Sequence, residues 1–151
     1  DLLAHLSGMS AGSLGETAAL LLTLGGLWLM QQRVFTWHVP VATLACCLIP
    51  GTLLWWFDPS AIVQPMAQLT SGGLLLGAFF IATDPVTSPT SARGKLWFGA
   101  GLGLLIFVIR AFGNFPEGVA FAVLIMNAAT PLIDNFTRQS IYGRPEREEQ
   151  A

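Results

Sequence analysis

Long stretches of this chain carry no charge at all. No Asp, Glu, Lys or Arg occurs in residues 34–57, 59–83, 96–109 or 118–133. A water-soluble fold of 151 residues has to cover its surface with polar side chains, and about a quarter of its residues are charged. Here charged residues are 11% and hydrophobic residues 53% of the sequence. With 7 Lys+Arg against 9 Asp+Glu, the net charge is −2 and no basic patch stands behind it. These numbers exclude a soluble domain, a disordered chain and a nucleic-acid partner. Two cysteines make no disulfide framework. The expected fold class is an all-α polytopic membrane protein in a lipid bilayer.

Polar residues fence five apolar segments, read as spans over about 17–32, 34–57, 69–83, 96–110 and 118–133 in a membrane domain of residues 1–137. A clean span takes about 20 apolar residues. Only the second segment reaches that length, and Pro40 and Pro50 interrupt it. The others are short unless their polar flanks are also helical. Their Gly, Pro, Ser and Thr ends suggest broken helices, which survive at membrane depth only when buried in protein or lining a cavity. Gly73/Gly77 and Gly99/Gly103 have the GxxxG spacing of close helix packing. Five spans put the two ends on opposite sides. With the C-terminus in the cytoplasm, Arg33, Arg93, Lys95, Arg138, Arg144 and Arg147 fall inside and only Arg110 outside, as the positive-inside rule prefers. The N-terminus is then outside. Trp37, Trp55, Trp56 and Trp97 lie near span ends, as in an aromatic belt. Residues 138–151 alternate Arg with Glu and read as a polar cytoplasmic tail. The chain starts at Asp1 with no signal-peptide pattern and is expected to be part of a longer protein.

Four polar constellations interrupt this pattern. Gly12-Ser-Leu-Gly-Glu-Thr17 combines two glycines with Ser13 and Thr17 at a helix start, where free N–H groups bind anions such as phosphate. Ser13 followed by Glu16 equally fits a capping box. Residues 82–91 gather five hydroxyls, Asp84 and two prolines that forbid a continuous helix. An intramembrane carboxylate is a functional candidate, and a turn capped by Asp84 is the plainer alternative. Glu117 precedes an apolar helix, where it favours the helix start, pairs with Arg110 or serves ion passage. Asn127 lies inside the fifth segment and needs partners, while Pro131 frees a carbonyl about four residues earlier. Cys46, Cys47, His5 and His38 form no cluster with metal-ligand spacing. No nucleophilic grouping or phosphate-loop motif is visible.

These motifs also occur in a recognisable order. Gly12-Ser-Leu-Gly-Glu-Thr17, Trp37-His-Val-Pro-Val41, Gly77-Ala-Phe-Phe-Ile-Ala-Thr-Asp-Pro-Val-Thr87, Phe115-Pro-Glu-Gly-Val-Ala-Phe-Ala-Val-Leu124 and Pro131-Leu-Ile-Asp134 resemble the C-terminal half of the RnfD-type subunits of Rnf ion-translocating electron-transport complexes. More distantly they are similar to the NqrB-type subunits of the sodium-pumping NADH:quinone oxidoreductase. The resemblance covers nearly the whole chain. It implies a urea-transporter-like fold of two inverted five-helix halves, of which this chain is one. It also implies a bacterial inner membrane, neighbouring membrane, flavin and iron–sulfur subunits, and electron transfer through FMN coupled to Na⁺ or H⁺ movement. The chain is then a subunit of a translocase rather than an enzyme on its own.

Family members carry FMN on a threonine in a Ser/Thr-Gly-Ala-Thr type motif. The nearest match here, Thr70-Ser-Gly-Gly73, lacks the final Ala-Thr, so the attachment threonine is expected upstream. Under the resemblance Gly12, Ser13, Gly15 and Glu16 border a flavin site, joined by Thr83, Thr87 and Ser88. Asp84 is the first candidate for a cation-linked carboxylate, with Glu117 and Asn127 further along an ion path. The alternative is a urea-transporter-like channel or small-solute transporter, which predicts flux without flavin.

Overall fold

A computed structural model of the chain describes residues 19–60, 64–70, 73–113 and 118–137. The described residues are helical, with no strand among them. In chain order they are α1 (Ala19–Gln31), α2 (His38–Phe57), α3 (Pro65–Thr70), α4 (Leu74–Leu76) running into a π-helical turn (Gly77–Ile81), α5 (Ala92–Phe112) and α6 (Gly118–Phe136). Three of these, α2, α5 and α6, are long and apolar enough to cross a membrane, with 20, 21 and 19 residues. At 1.5 Å per residue each spans about 30 Å, the thickness of a bilayer core. α1 is a shorter apolar helix of 13 residues. The chain is an all-α polytopic membrane protein.

The long helices exceed the apolar segments because their polar flanks are helical too. α5 starts at Ala92 rather than Leu96, since the Ser91 side chain accepts a hydrogen bond from the Gly94 N–H and caps the helix there. α6 continues through Pro131 to Phe136. The two prolines expected to interrupt the second segment do not break α2. Pro40 stands in the first turn, where the N–H has no intrahelical partner in any case. Pro50 lies inside the helix and removes only the bond to the Cys46 carbonyl. Residues 34–37 are instead a loop. It opens with a Schellman cap, in which Val34 N–H bonds Leu29 O and Arg33 N–H bonds Met30 O, both at 3.1 Å. Arg33 takes the left-handed position of that cap at φ 57°. Glycine is usual there, and an L side chain costs roughly 1–2 kcal/mol.

The bundle is built on the crossing of α2 and α5, its most extensive helix pair. A Cβ on Gly99 would lie 2.8 Å from both Val39 O and Ala42 Cβ, and one on Gly103 would collide with Thr43 O. This GxxxG pair lets two backbones meet. Val39 and Cys47 of α2 and Phe98, Leu102 and Ile106 of α5 are buried around it, joined by Val119, Ala122 and Val123 of α6. The Gly73/Gly77 pair is different. Gly73 is the left-handed hinge (φ 67°) between α3 and α4, and Gly77 alone makes a close approach, to the Val119 side chain. The third apolar segment is thus a discontinuous helix. Its second half ends in the π turn, closed by Ala82 N–H to Gly77 O at 2.7 Å.

The outward faces are apolar. Leu53 and Trp56 of α2, Leu104 and Val108 of α5, and Leu124 and Ile125 of α6 are all exposed. No more than 33% of any spanning window is buried within the chain, so most of each helix surface is left to lipid or to neighbouring protein.

Gly103→Ala in the full-length subunit is expected to cost about 1–3 kcal/mol, because the added methyl meets backbone rather than a yielding side chain. Gly25→Ala, whose Cβ would meet only Phe80 Cζ at 3.6 Å, is expected to be neutral or slightly stabilising. Thermal unfolding of the two variants in detergent checks this, and equal melting would remove the glycine seam from its place in the fold.

Candidate functional site

The polar loop 82–91 is tied to α6 at three points. Thr130 Oγ1 lies 2.9 Å from the Thr87 carbonyl and 3.1 Å from the Met126 carbonyl. The Thr90 N–H donates to Asp134 Oδ1 at 3.1 Å. Ser91 Oγ donates to Thr137 Oγ1 at 2.9 Å, and Thr137 donates in turn to Ile133 O at 2.7 Å. With the Gly94 N–H donating to Ser91 Oγ, the last contact is a directional chain of three hydrogen bonds, each polarising the next. Gly94 is required here, since a Cβ would press on Ser91 Oγ, Thr137 Oγ1 and Pro89 Cβ within 3 Å.

The residues that hold the loop are Thr130 and Asp134 of α6 and Thr137 just after its end, spaced four and three apart along one face. Asn127 precedes Thr130 by three and continues the same stripe toward membrane depth. Its Oδ1 is buried and has no hydrogen-bond partner among the described residues. Pro131 supplies no N–H to the Asn127 carbonyl. Two polar acceptors of one residue therefore lie at the deep end of the stripe, where an unsatisfied group is costly.

Of the residues singled out from sequence, Thr83, Asp84, Thr87 and Ser88 share this loop. Thr83 Oγ1 donates to Phe79 O at 2.6 Å, satisfying a carbonyl of the π turn. Asp84 Oδ1 accepts from the Val86 N–H at 3.1 Å, and its carbonyl accepts from the Ser88 N–H. Asp84 is thus the capping residue of its own turn, while the cap of α5 is Ser91. Ser88 is buried. Gly12, Ser13, Gly15, Glu16 and Glu117 lie outside the described residues. Ser91, Thr130, Asp134 and Thr137 were not named as site residues from the sequence, although the three-and-four spacing from Asn127 onward was there to be read.

At the opposite end of the bundle the discontinuous helix is held by an arginine. Arg110 Nη1 donates to the Gln68 carbonyl at 2.8 Å. α3 ends at Thr70, so that carbonyl belongs to the last turn of a helix and lacks an intrahelical donor. A guanidinium there also opposes the negative end of the helix dipole. The Gln68 side chain is buried against Gly51 of α2, where a Cβ would come within 2.7 Å of Gln68 Oε1.

A cleft of about 130 Å³ opens beside the loop, lined by Arg33, Thr36, Thr83, Ser88 and Lys95 among others. Small-molecule sites run to roughly 300–1,000 Å³, so this cleft alone does not enclose a tricyclic flavin ring. No group of three or more His, Cys, Asp or Glu placed to hold a metal occurs among the described residues.

Asp134→Ala is expected to release the Thr90 amide, at a cost of about 1 kcal/mol or roughly fivefold faster hydrogen exchange at that amide. Asp134→Asn keeps an acceptor oxygen and is expected to retain protection. Equal exchange in the two variants would show that the Asp134 contact does not hold the loop.

Comparison with known proteins agrees with the ordered motifs. Residues 1–143 match the model of the NQR2, RnfD, RnfE family. The D-type subunit of the ion-translocating oxidoreductase complex of Stutzerimonas stutzeri is 54% identical over 146 residues, 97% of this chain and 41% of that protein. Its namesakes in Escherichia coli O7:K1 and Shigella boydii serotype 18 are each 48% identical over 137 residues, 91% of this chain and 39% of theirs. The chain therefore spans about two fifths of the length of these curated relatives. It belongs to the NQR2, RnfD, RnfE family.

Proposed function

We propose that the chain forms one half of the membrane subunit of a redox-driven ion-translocating complex in the bacterial inner membrane, where electrons pass through FMN and their passage is coupled to Na⁺ or H⁺ movement. The observation that carries this reading is the 54% identity, sustained along 97% of the chain, to a protein named as the D-type subunit of an ion-translocating oxidoreductase complex. The partners are the other membrane, flavin and iron–sulfur subunits of that complex. The C-terminal end of α6 faces the cytoplasm, as the distribution of basic residues suggests.

Bound FMN would supply the one-electron chemistry, and the protein its position and electrostatics. On this reading the covalent attachment lies outside these residues. Thr83 and Ser88 line a cleft too small for the flavin ring, so they fit only a smaller part of the cofactor and carry no step of the transfer. The ion path follows the polar stripe of α6. Asn127 offers a buried oxygen at its deep end, and Asp84 stands in the loop bound to its outer end. Glu117, outside the described residues, is the second carboxylate of that proposed path.

Two measurements test this. In-gel flavin fluorescence of the denatured subunit is expected only from a form extended upstream, and a signal from these 151 residues alone would place the flavin on one of their own threonines. In membrane vesicles carrying the whole complex, Asn127→Leu is expected to lower ion uptake per electron by roughly tenfold, the equivalent of ~1.4 kcal/mol of lost ion stabilisation. Asp84→Asn is expected to act in the same direction. Unchanged coupling in both variants, in a fully assembled complex, would leave this half a structural wall.

A further inference from the structure

The cleft beside the 82–91 loop gathers two basic side chains that neither the packing nor the redox reading uses. It lies where the α1–α2 loop, the start of α5 and the end of the π turn meet. Arg33 and Lys95 line it from two different elements, with the hydroxyl-bearing Thr36, Thr83 and Ser88 between them, and none of the described residues that line it is acidic. Lys95 Nζ reaches across to Thr36 Oγ1 at 3.4 Å. The cleft's roughly 130 Å³ is about ten times the ~10–15 Å³ that a single water needs.

Two local arrangements run against the helices' own preferences. The first turn of α5 contains Arg93 and Lys95 and no acidic residue, although cations are disfavoured at the positive end of a helix dipole. Arg33 holds a left-handed backbone position that glycine fills more easily. The positive-inside rule accounts for basic residues at one end of a bundle. It does not account for two of them converging on one polar cleft.

We propose that this cleft is a phosphate-binding site at the membrane surface, with Arg33 as the bidentate contact, Lys95 as the point charge and the hydroxyls of Thr36 and Ser88 as further donors. An arginine fork and a lysine together are a recurrent donor set for phosphate oxygens. Basic pockets between membrane helices are a recurrent seat for lipid headgroups. The phosphate belongs either to an anionic phospholipid or to a soluble phosphate, and both present the same oxygens. The proposal rests on the cleft alone and stands whether or not the redox reading does.

Lys95 is the sole lysine of these 151 residues, so the peptide that carries it reports acylation by an amine-reactive ester at that one position. The experiment uses the full-length subunit in its complex, delipidated in detergent, with Lys95 labelling read by mass spectrometry. One arm titrates inorganic phosphate against chloride at matched ionic strength. The other compares nanodiscs of phosphatidylglycerol with nanodiscs of an uncharged galactolipid. Saturable protection by inorganic phosphate supports the site with a soluble source. Protection by phosphatidylglycerol alone supports it with a headgroup source. Arg33→Gly removes the cation while placing the residue that the cap favours, so it keeps the fold. It is expected to weaken protection about tenfold, as the loss of one charge-assisted contact would. Protection by neither ligand, protection matched by chloride or the galactolipid, or full protection in Arg33→Gly overturns the proposal.

Discussion

The fold depends on the contact between α2 and α5, where Gly99 and Gly103 let one backbone lie against the carbonyls of Val39 and Thr43. In lipid, apolar burial gives helices little reason to associate, because acyl chains are as apolar as leucine. Close packing has to supply the attraction, and it grows with the number of atoms brought into contact. Glycine at two successive turns opens the groove that makes this possible. Phe98, Leu102 and Ile106 then fill the layers around the crossing, and α6 closes it with Val119, Ala122 and Val123. The seam leaves the other faces of the three long helices apolar and exposed, as they must be where they meet lipid or neighbouring protein.

The second constraint is the backbone itself. Each interruption of a helix at membrane depth frees N–H and C=O groups that lipid cannot satisfy. The break at Gly73 leaves the last carbonyls of α3 exposed, and the Arg110 guanidinium takes that of Gln68. The π turn uses the Thr83 hydroxyl on the Phe79 carbonyl. The loop that follows gives the Thr90 amide to Asp134, the Thr87 carbonyl to Thr130 and the Ser91 hydroxyl to Thr137. Thr83, which stands out in the sequence as candidate chemistry, is in the structure the partner of a broken backbone. Asn127 is different, because its amide oxygen is buried at the end of that stripe with no partner among the described residues.

Much of this was legible in the sequence. The charge-free runs marked α2, α5 and α6, and the GxxxG spacing marked the seam at Gly99 and Gly103. The density of hydroxyls marked the 82–91 loop. Other features were not legible, for identifiable reasons. Pro40 and Pro50 read as interruptions, but one sits in a first turn and the other costs a single bond in a helix that packing holds together. Gly73/Gly77 had the same spacing as Gly99/Gly103, yet Gly73 is a left-handed hinge, because spacing does not report φ. Lys95 read as the fence of a span, whereas the cap at Ser91 draws it into a helix and turns it toward the loop before α2.

By itself the sequence determined the membrane as solvent, the helical class and the positions of the polar interruptions. Those follow from composition and order, since scarce charge cannot be hidden and lipid tolerates few backbone forms. It also determined the family, through long motifs kept in order. Only the tertiary structure decided which polar residues meet. Thr87 and Thr130, Thr90 and Asp134, and Gln68 and Arg110 lie more than forty residues apart, and no local rule pairs them. They meet because the glycine seam fixes how α2 and α5 cross, and that crossing sets where the loop and the broken helix come to rest against α6 and α5.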